Sequence, residues 1–400
     1  MIVAIDTNCI LPGRVGGIEN YTLGLIEALK LPGSPAGKLV LLTRAENYSL
    51  FSPYADSRTE IVQIERPVYN GTPVTNWAEL LEQHPVEGRK ALESFQRQKT
   101  GLLHQRGVDL VHFPGNTINP LDLDLPIVLN LHDLQHRHFP QYFTHEEIDN
   151  REKWWVASAF RADALLAASN YIRDDLQREL GVAGSKIFVT PDVFQTAFCT
   201  PPTHAQLDDL RRRLALPETF FLYPAAIWPH KNHQRLIRAF VAANLPGAQL
   251  ILTGGGQADS DLPALVESLG ATSSVRLMGR VGTEDLIGLY HTATALIFPS
   301  EHEAWSIPIM EAMACGCPVA SSNVTSLPEE VGNAGLLFSP DDETAMADAM
   351  RGLAADAGLR RALSRRGQTR VKAFGPQPFL RTITAAYDHA RSTFRFRKAA

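Results

Sequence analysis

Apolar residues fall in short runs of strand length that alternate with helical patterns along almost the whole chain. In the first half they predict strands at Ile2–Asp6, Leu39–Thr43, Ile61–Ile64, Leu110–Phe113, Ile127–Leu131, Ala164–Ala167 and Ile187–Thr190. Helices are predicted at about 18–30, 86–105, 146–161 and 170–180. The last follows Ser169 and Asn170, both good N-caps, and stops at Gly181. The second half is more regular, with strands at Phe220–Pro224, Leu250–Thr253, Val275–Met278, Ala295–Phe298, Val319–Ser321 and Leu336–Phe338. Its helices are predicted at about 232–243, 259–269, 283–292, 308–315 and 342–373, the last broken near Gly358. Such alternation predicts parallel sheets with helices on both faces. Two stretches break the pattern. Residues 66–86, rich in Pro, Gly, Asn and Thr, read as a long loop, either a lid or a plain surface insertion. Residues 191–218 carry four prolines and no clean strand, and read as the linker between two Rossmann-like domains.

Composition narrows this picture. A chain of 400 residues fits two domains. With 44% hydrophobic and 20% charged residues it is neither disordered nor collagen-like. A net charge of −5 offers no basic field for nucleic acid. Cys9, Cys199, Cys315 and Cys317 are too scattered for a disulfide framework, and Cys315-Gly-Cys317 is too close for a zinc pattern. They read as reduced thiols of a cytoplasmic protein. Asp6 interrupts the first apolar run, so the N-terminus reads as a strand and not as a signal peptide. No apolar stretch approaches the roughly 20 residues of a membrane helix. Locally, Arg360–Lys372 holds six cations and no acid. That stretch is either a solvated basic helix or a peripheral contact to the inner face of an anionic membrane.

In open parallel sheets, ligands bind past the carboxyl ends of strands, so the chemistry is sought there. Gly16 and Gly17 open a helix after the first strand, where free N–H groups suit an anion such as a diphosphate. His230 and Lys231 stand at a helix start after Phe220–Pro224, where the dipole disfavours a cation unless a phosphate lies between. Gly254, after Leu250–Thr253, permits close backbone approach. Glu303 lies in a loop after Ala295–Phe298, and Glu311 lies on the helix that follows. Carboxylates at such a place suit the paired hydroxyls of a sugar or ribose, or are solvated glutamates favourable with the helix dipole. His132 ends another strand, as a hydroxyl partner or as a structural histidine bonded to a backbone carbonyl. Asp122-Leu-Asp124 looks like a metal signature but sits between two prolines, in what reads as a solvated loop.

Together these motifs resemble the retaining glycosyltransferases of family 4. Glu303 to Glu311 matches the E-x7-E signature within PSEHEAWSIPIMEAMACGCPVASSNVTSLPEEVGNAGLLFSPDD. HKNHQRLIRAF resembles the family's phosphate-binding helix start, LMGRVGTEDLIGLYHTATALIFPS its base-binding segment, and GGIENYTLGLIEAL its N-terminal glycine loop. VHFPGN and LHDLQHRHFP resemble its acceptor-domain strands, and the likeness covers nearly everything outside about 45–105. The resemblance implies an α/β GT-B fold, with two Rossmann-like domains whose parallel sheets face across a cleft. Residues 1–195 and a crossover helix at 376–400 would form the acceptor domain, and 196–375 the donor domain. Glu303, His132 and Lys231 would be catalytic. Gly16, Gly17, His230, Lys231, Gly254, Val281, Ala304, Trp305, Ser306, Ile307 and Glu311 would hold the donor. Glu311 would take the ribose, Val281 the base through its backbone, and Lys231 the diphosphate. Two departures stand out: Ala304 and Ser306 replace glycines whose N–H groups touch the donor sugar, and Ala226 replaces an arginine, a gap that His230 or Arg14 could fill.

The resemblance implies transfer of a hexose, mannose first, from a nucleotide-diphosphate sugar such as GDP-mannose to a glycan or lipid-linked acceptor. It implies no cofactor and no metal, and front-face displacement in which the leaving diphosphate takes the acceptor's proton. Alternatives are a sugar synthase with a small soluble acceptor and a silent nucleotide-sugar-binding module. Removing Lys231 or Glu303 is expected to abolish most activity with little loss of fold.

Overall fold

The computed structural model describes residues 1–12, 16–74, 77–255 and 261–399, without the side chains at 16, 78 and 396–399. The chain divides into two compact units. One comprises Met1–Ala168, Ile172–Thr190 and Pro376–Ala400; the other comprises Ser169–Tyr171 and Pro191–Gly375.

The strands of the first unit are β1 (Ile2–Asp6), β2 (Lys38–Thr43), β3 (Thr59–Gln63), the short pair β4 (Val68–Tyr69) and β5 (Thr72–Pro73), β6 (Leu110–Phe113), β7 (Ile127–Asn130), β8 (Ala164–Ala167) and β9 (Ile187–Val189). Seven of them form a sheet in the order β3-β2-β1-β6-β7-β8-β9. Every described pairing in it is parallel, as in Ile2 opposite Lys38 and Val111 opposite Ile127. β6, β7 and β8 are buried along their whole length, which explains why they read as unbroken apolar runs.

The second unit carries β10 (Phe220–Pro224), β11 (Gln249–Thr253), β12 (Val275–Gly279), β13 (Ala295–Phe298), β14 (Val319–Ser322) and β15 (Gly335–Phe338). They form a parallel sheet in the order β12-β11-β10-β13-β14-β15. Chain order reverses between β1 and β6 in one sheet and between β10 and β13 in the other, and ligands bind at such switch points.

Two expectations change. Residues 66–86 are not a plain loop: β4 and β5 make an antiparallel hairpin, and a helix runs Trp77–Gln83. That helix forms because Trp77 and Leu80 bury against Phe95, a tertiary gain that local composition does not show. The stretch 191–218 contains a helix at His204–Arg213, started by a capping box in which Thr203 and Gln206 satisfy each other's backbone N–H. The long helix breaks near Gly358 as expected, at Asp356, whose side chain accepts from Leu359 N–H and starts a second helix, Ala357–Arg370.

The basic stretch has structural work. Arg360 donates to the terminal carbonyls of Leu353 and Ala354, Arg366 to Asn333 O, and Arg370 to the carbonyls of Glu329 and Glu330. No described helix is long and apolar enough to cross a membrane.

The last helix, Pro376–Ala399, packs on the first unit's sheet through buried Ile383, Ala386, Tyr387 and Ala390. A buried polar chain fixes it. His112 Nδ1 lies 2.8 Å from Tyr387 Oη, and His112 Nε2 lies 2.7 Å from Asn130 Oδ1. Tyr21 donates to the same oxygen at 3.1 Å. Burial pushes the His112 pKa down to about 4, so the imidazole is neutral at pH 7 and joins the network without an unpaired charge.

Candidate active site

In the second unit, the loops after β10 and β13 flank the switch point and carry the strongest candidates. After β10 a short 3₁₀ turn, Pro229–Lys231, ends on Asn232 in the left-handed region, φ 59°. Asn232 holds that turn by donating to Pro299 O at 3.1 Å and Pro340 O at 2.8 Å, and the buried Tyr223 hydroxyl donates to Lys231 O at 2.8 Å. The Lys231 ammonium is thereby aimed at Glu303, with Nζ 2.5 Å from Oε1. The two side chains are 18% and 10% exposed, so the pair is largely removed from water. The expected conflict between a cation and the helix start is thus met by a carboxylate from the neighbouring loop.

His230 contributes its backbone, since its carbonyl accepts from Glu301 N at 2.8 Å and from Ser300 Oγ at 3.2 Å. Burial, with Lys231 nearby, pushes its imidazole pKa down to about 2, so the ring is neutral and adds no positive charge at pH 7. Arg14 lies outside the described residues.

Gly254 fixes the strand ends against one another. Its φ is 134°, and a Cβ there would lie 2.2 Å from Ala225 O. Gly254 N donates to Gly279 O at 2.8 Å and Ile227 N to Gly255 O at 3.0 Å, lacing the ends of β10, β11 and β12 together. Val281 is half-buried just past β12.

The helix Ile307–Ala314 begins at Ser306, whose Oγ accepts from Ile309 N at 3.3 Å. Ser306 N–H donates to the Glu330 carboxylate at 2.9 and 3.0 Å. Both polar groups at this glycine replacement are therefore engaged within the protein. Ala304 is half-buried, while Ile307 and Trp305 are buried, with the indole edge-on to Phe374 at 5.0 Å. The Trp305 indole nitrogen is buried without a hydrogen-bond partner among the described residues. Glu311 is buried, and its Oε2 accepts from the Tyr290 hydroxyl at 3.1 Å. Burial pushes its pKa up to about 7, against the opposing pull of that bond. The sign follows: the neutral acid stabilises the fold fully below the ordinary carboxyl pKa, and this contribution is lost as pH rises through about 7.

Sequence reasoning missed three supports. Thr325, at φ 53° and β-branched, is strained, and its Oγ1 accepts Glu303 N–H at 3.1 Å. Ser326 Oγ lies 3.1 Å from Glu303 O and 2.7 Å from Glu330 Oε1, tying the loop of Glu303 to Glu330. Glu330 is fully buried and pushed up to about 8 by burial. The i, i+4 spacing of Ser326 and Glu330 at a helix start was the available signal.

In the first unit, Gly16 and Gly17 begin the helix Gly16–Lys30 after β1, and among the described residues no atom beyond its own helix turn and chain neighbours lies within 4 Å of where a Gly17 Cβ would be. His132 follows β7. Its N–H donates to Asn116 Oδ1 at 2.8 Å, and its Nε2 lies 2.8 Å from Pro114 O. A carbonyl only accepts, so Nε2 carries the proton and Nδ1 is left as the acceptor. Asp122 and Asp124 are exposed. No group of three or more metal-ligating side chains occurs among the described residues.

Residues 15–197 match the family described as Glycosyltransferase Family 4, and residues 208–370 match that described as Glycosyl transferases group 1. O-antigen chain mannosyltransferase B of Escherichia coli is 31% identical over 251 residues, 62% of this chain and 66% of that one. A D-inositol 3-phosphate glycosyltransferase of Actinosynnema mirum is 30% identical over 249 residues, 58% of this chain and 59% of its own. The chain thus spans less than two thirds of the length of these curated relatives. The structure of HepE from Anabaena in complex with UDP and glucose has the same fold, with a TM-score of 0.74 and 17% identity over 97% of this chain and 99% of that one. Two parallel α/β sheets, each in a unit matched by its own glycosyltransferase domain, give this chain the GT-B fold, with a Glycosyltransferase Family 4 domain followed by a Glycosyl transferases group 1 domain.

Proposed function

We propose that the protein transfers a hexose, mannose first, from a nucleotide-diphosphate sugar to a glycan or lipid-linked acceptor, with retention and without a metal. The observation that carries this reading is the Lys231–Glu303 pair at the switch point of the second sheet. A cation held beside a carboxylate there gives the leaving diphosphate and the sugar hydroxyls adjacent partners. The likeness to a mannosyltransferase of O-antigen chains supports mannose and a glycan acceptor. His132 Nδ1 takes a hydroxyl of the transferred sugar, and Gly17 N–H and the helix start behind it attract the diphosphate. Catalysis rests on positioning both substrates and on charge stabilisation, with the leaving phosphate oxygen accepting the proton of the acceptor hydroxyl.

Purified protein is expected to release GDP from GDP-mannose in the presence of a mannoside acceptor, faster than UDP from UDP-glucose. EDTA is expected to change the rate by less than about twofold, and the new linkage should keep the donor's anomeric configuration. Absence of nucleoside diphosphate release from any donor of a GDP- and UDP-hexose panel overturns the reading, and EDTA inactivation reversed by Mg²⁺ overturns the metal-free part.

A second test uses Glu311. If its carboxylate accepts both ribose hydroxyls, donor binding requires the ionised form. With a pKa of about 7, the donor's affinity should then fall several-fold between pH 7.5 and 6. Glu311→Gln should bind weakly at both pH values, with the pH dependence gone. A pH dependence that survives in the variant assigns it to another group.

A further inference from the structure

One face of the helix His145–Arg161 is unlike a packing face. Glu147, Asn150, Arg151, Trp154 and Trp155 follow the i, i+3, i+4, i+7, i+8 spacing, which places them on a single stripe. A core-facing stripe would be aliphatic, whereas this one joins two indoles to an amide and two charged groups. It lines a cavity of about 520 Å³, closed on other sides by Trp77, Gln96 and the loop 117–121 past the end of β6. That volume is in the range of small-molecule sites.

Local chemistry leaves these groups ready for a ligand. Glu147, the nearest acid on the stripe, is used by the capping box, where it accepts from Thr144 N at 2.8 Å and Thr144 Oγ1 at 3.0 Å. Glu147 and Asp133 attract Arg151 through space but make no hydrogen bond or ion pair with it. The Arg151 guanidinium forms none with any other described residue, and lies 4.1 Å from the Phe143 ring centre and 4.6 Å from that of Trp155. The amides of Gln96 and Asn150 also hydrogen-bond to no described residue, and both are half-buried. Trp154 packs on the Trp77–Phe95 cluster, which holds its indole in place at the cavity wall.

Rigid indole faces beside unengaged amides and a guanidinium match a pyranose. A pyranose offers an apolar C–H face for stacking and a rim of hydroxyl oxygens for several N–H donors. An apolar partner would leave Arg151 and both amides unpaired on burial, at a cost. We propose that this cavity is a saccharide-binding subsite that takes a neutral pyranose unit of the acceptor glycan, with Trp154 stacking on the ring and Arg151, Asn150 and Gln96 bonding its hydroxyls. The word acceptor rests on the glycosyltransferase reading above; the binding of sugar does not.

The test is therefore made on the full chain without any donor. Saturation-transfer NMR and titration calorimetry with α-1,3-mannobiose are expected to show saturable binding. Trp154→Ala and Arg151→Met should each weaken it about tenfold or more, and Asn150→Ala about threefold. Trp154→Phe, which keeps a stacking face and the fold, should retain binding within about threefold. GDP binding, read in the same samples, should stay within about twofold throughout. No saturable mannobiose binding, equal binding by wild type and the Arg151 and Trp154 variants, or binding of mannose 1-phosphate with no response to neutral sugar each overturns the assignment. Failure of donor cleavage with mannobiose binding intact overturns the transferase reading and leaves the subsite standing.

Discussion

Lys231→Met is expected to lower turnover by about 10²–10³-fold, the usual consequence of removing one preorganised partner of a developing negative charge, worth about 2.7–4 kcal/mol. Glu303→Gln should fall comparably, because the sugar loses a carboxylate and Lys231 its aim. Structure adds a stability effect that the sequence did not suggest. The pair is 2.5 Å apart with side chains only 18% and 10% exposed, so either single variant leaves a charge without its partner in a largely dry place. Such breaks cost roughly 3–5 kcal/mol when burial is complete, and this pair should lie toward the lower end. The double variant Lys231→Met/Glu303→Gln should recover much of the lost melting temperature, since no orphan charge remains, while turnover stays as low as in the worse single variant. Thermal unfolding and kcat measured on the four proteins decide this. Near-normal turnover in a folded single variant removes the catalytic assignment, and additive stability losses remove the coupling.

The largest purely structural effect is expected at Gly254. Alanine would set a methyl carbon 2.2 Å from Ala225 O, a backbone atom, at φ 134°, so neither rotamer change nor a flexible neighbour relieves the clash. A loss of about 3 kcal/mol or more is expected, as for severe overpacking, with the laced ends of β10, β11 and β12 forced apart. At about 2–4 °C per kcal/mol this lowers the melting temperature by about 6–12 °C. Gly352→Ala is the internal control with the opposite sign. It sits within the helix Glu343–Ala355, with no atom beyond its own helix turn and chain neighbours within 4 Å of the new Cβ, so it should stabilise by about 0.5–1 kcal/mol. Equal melting temperatures for the two variants would remove the steric account of Gly254.

Much of the candidate site was legible because its residues follow buried strands, and buried strands announce themselves. Phe220–Pro224 and Ala295–Phe298 are read from apolar runs alone and appear with the same bounds, so Lys231 and Glu303 could be placed at strand ends before any coordinates. Two matters at the site were open from sequence. His132 had a structural reading and a functional one: the structure shows the structural one, with Nε2 spent on Pro114 O, while Nδ1 is left as an acceptor for the proposed role. Ser306 looked like a perturbed donor contact, yet its N–H is taken by Glu330, 24 residues away. The capping box on Glu147, by contrast, is written locally in Thr144-His145-Glu146-Glu147, and it engages one of that carboxylate's oxygens at the start of the helix that carries Arg151.

The sequence by itself determined the strands of the two parallel sheets, their parallel arrangement, most helix bounds and the strand ends where chemistry sits. These depend on hydrophobic period, caps and breakers, all acting within a few residues. Tertiary structure alone decided which groups meet. Lys231 and Glu303 are 72 residues apart, and their pairing follows from β10 and β13 lying side by side across the sheet's reversal. The helix Trp77–Gln83 exists in a segment of loop-like composition because Phe95 offers it a surface to bury against. The cavity beside Trp154 exists because that helix, the helix Pro85–Gln105 and the loop past β6 converge on one stripe. Local pattern fixes an element because its hydrogen bonds are local. A partner is fixed only by burial, where a charge or an apolar face must be matched by whatever the fold brings beside it.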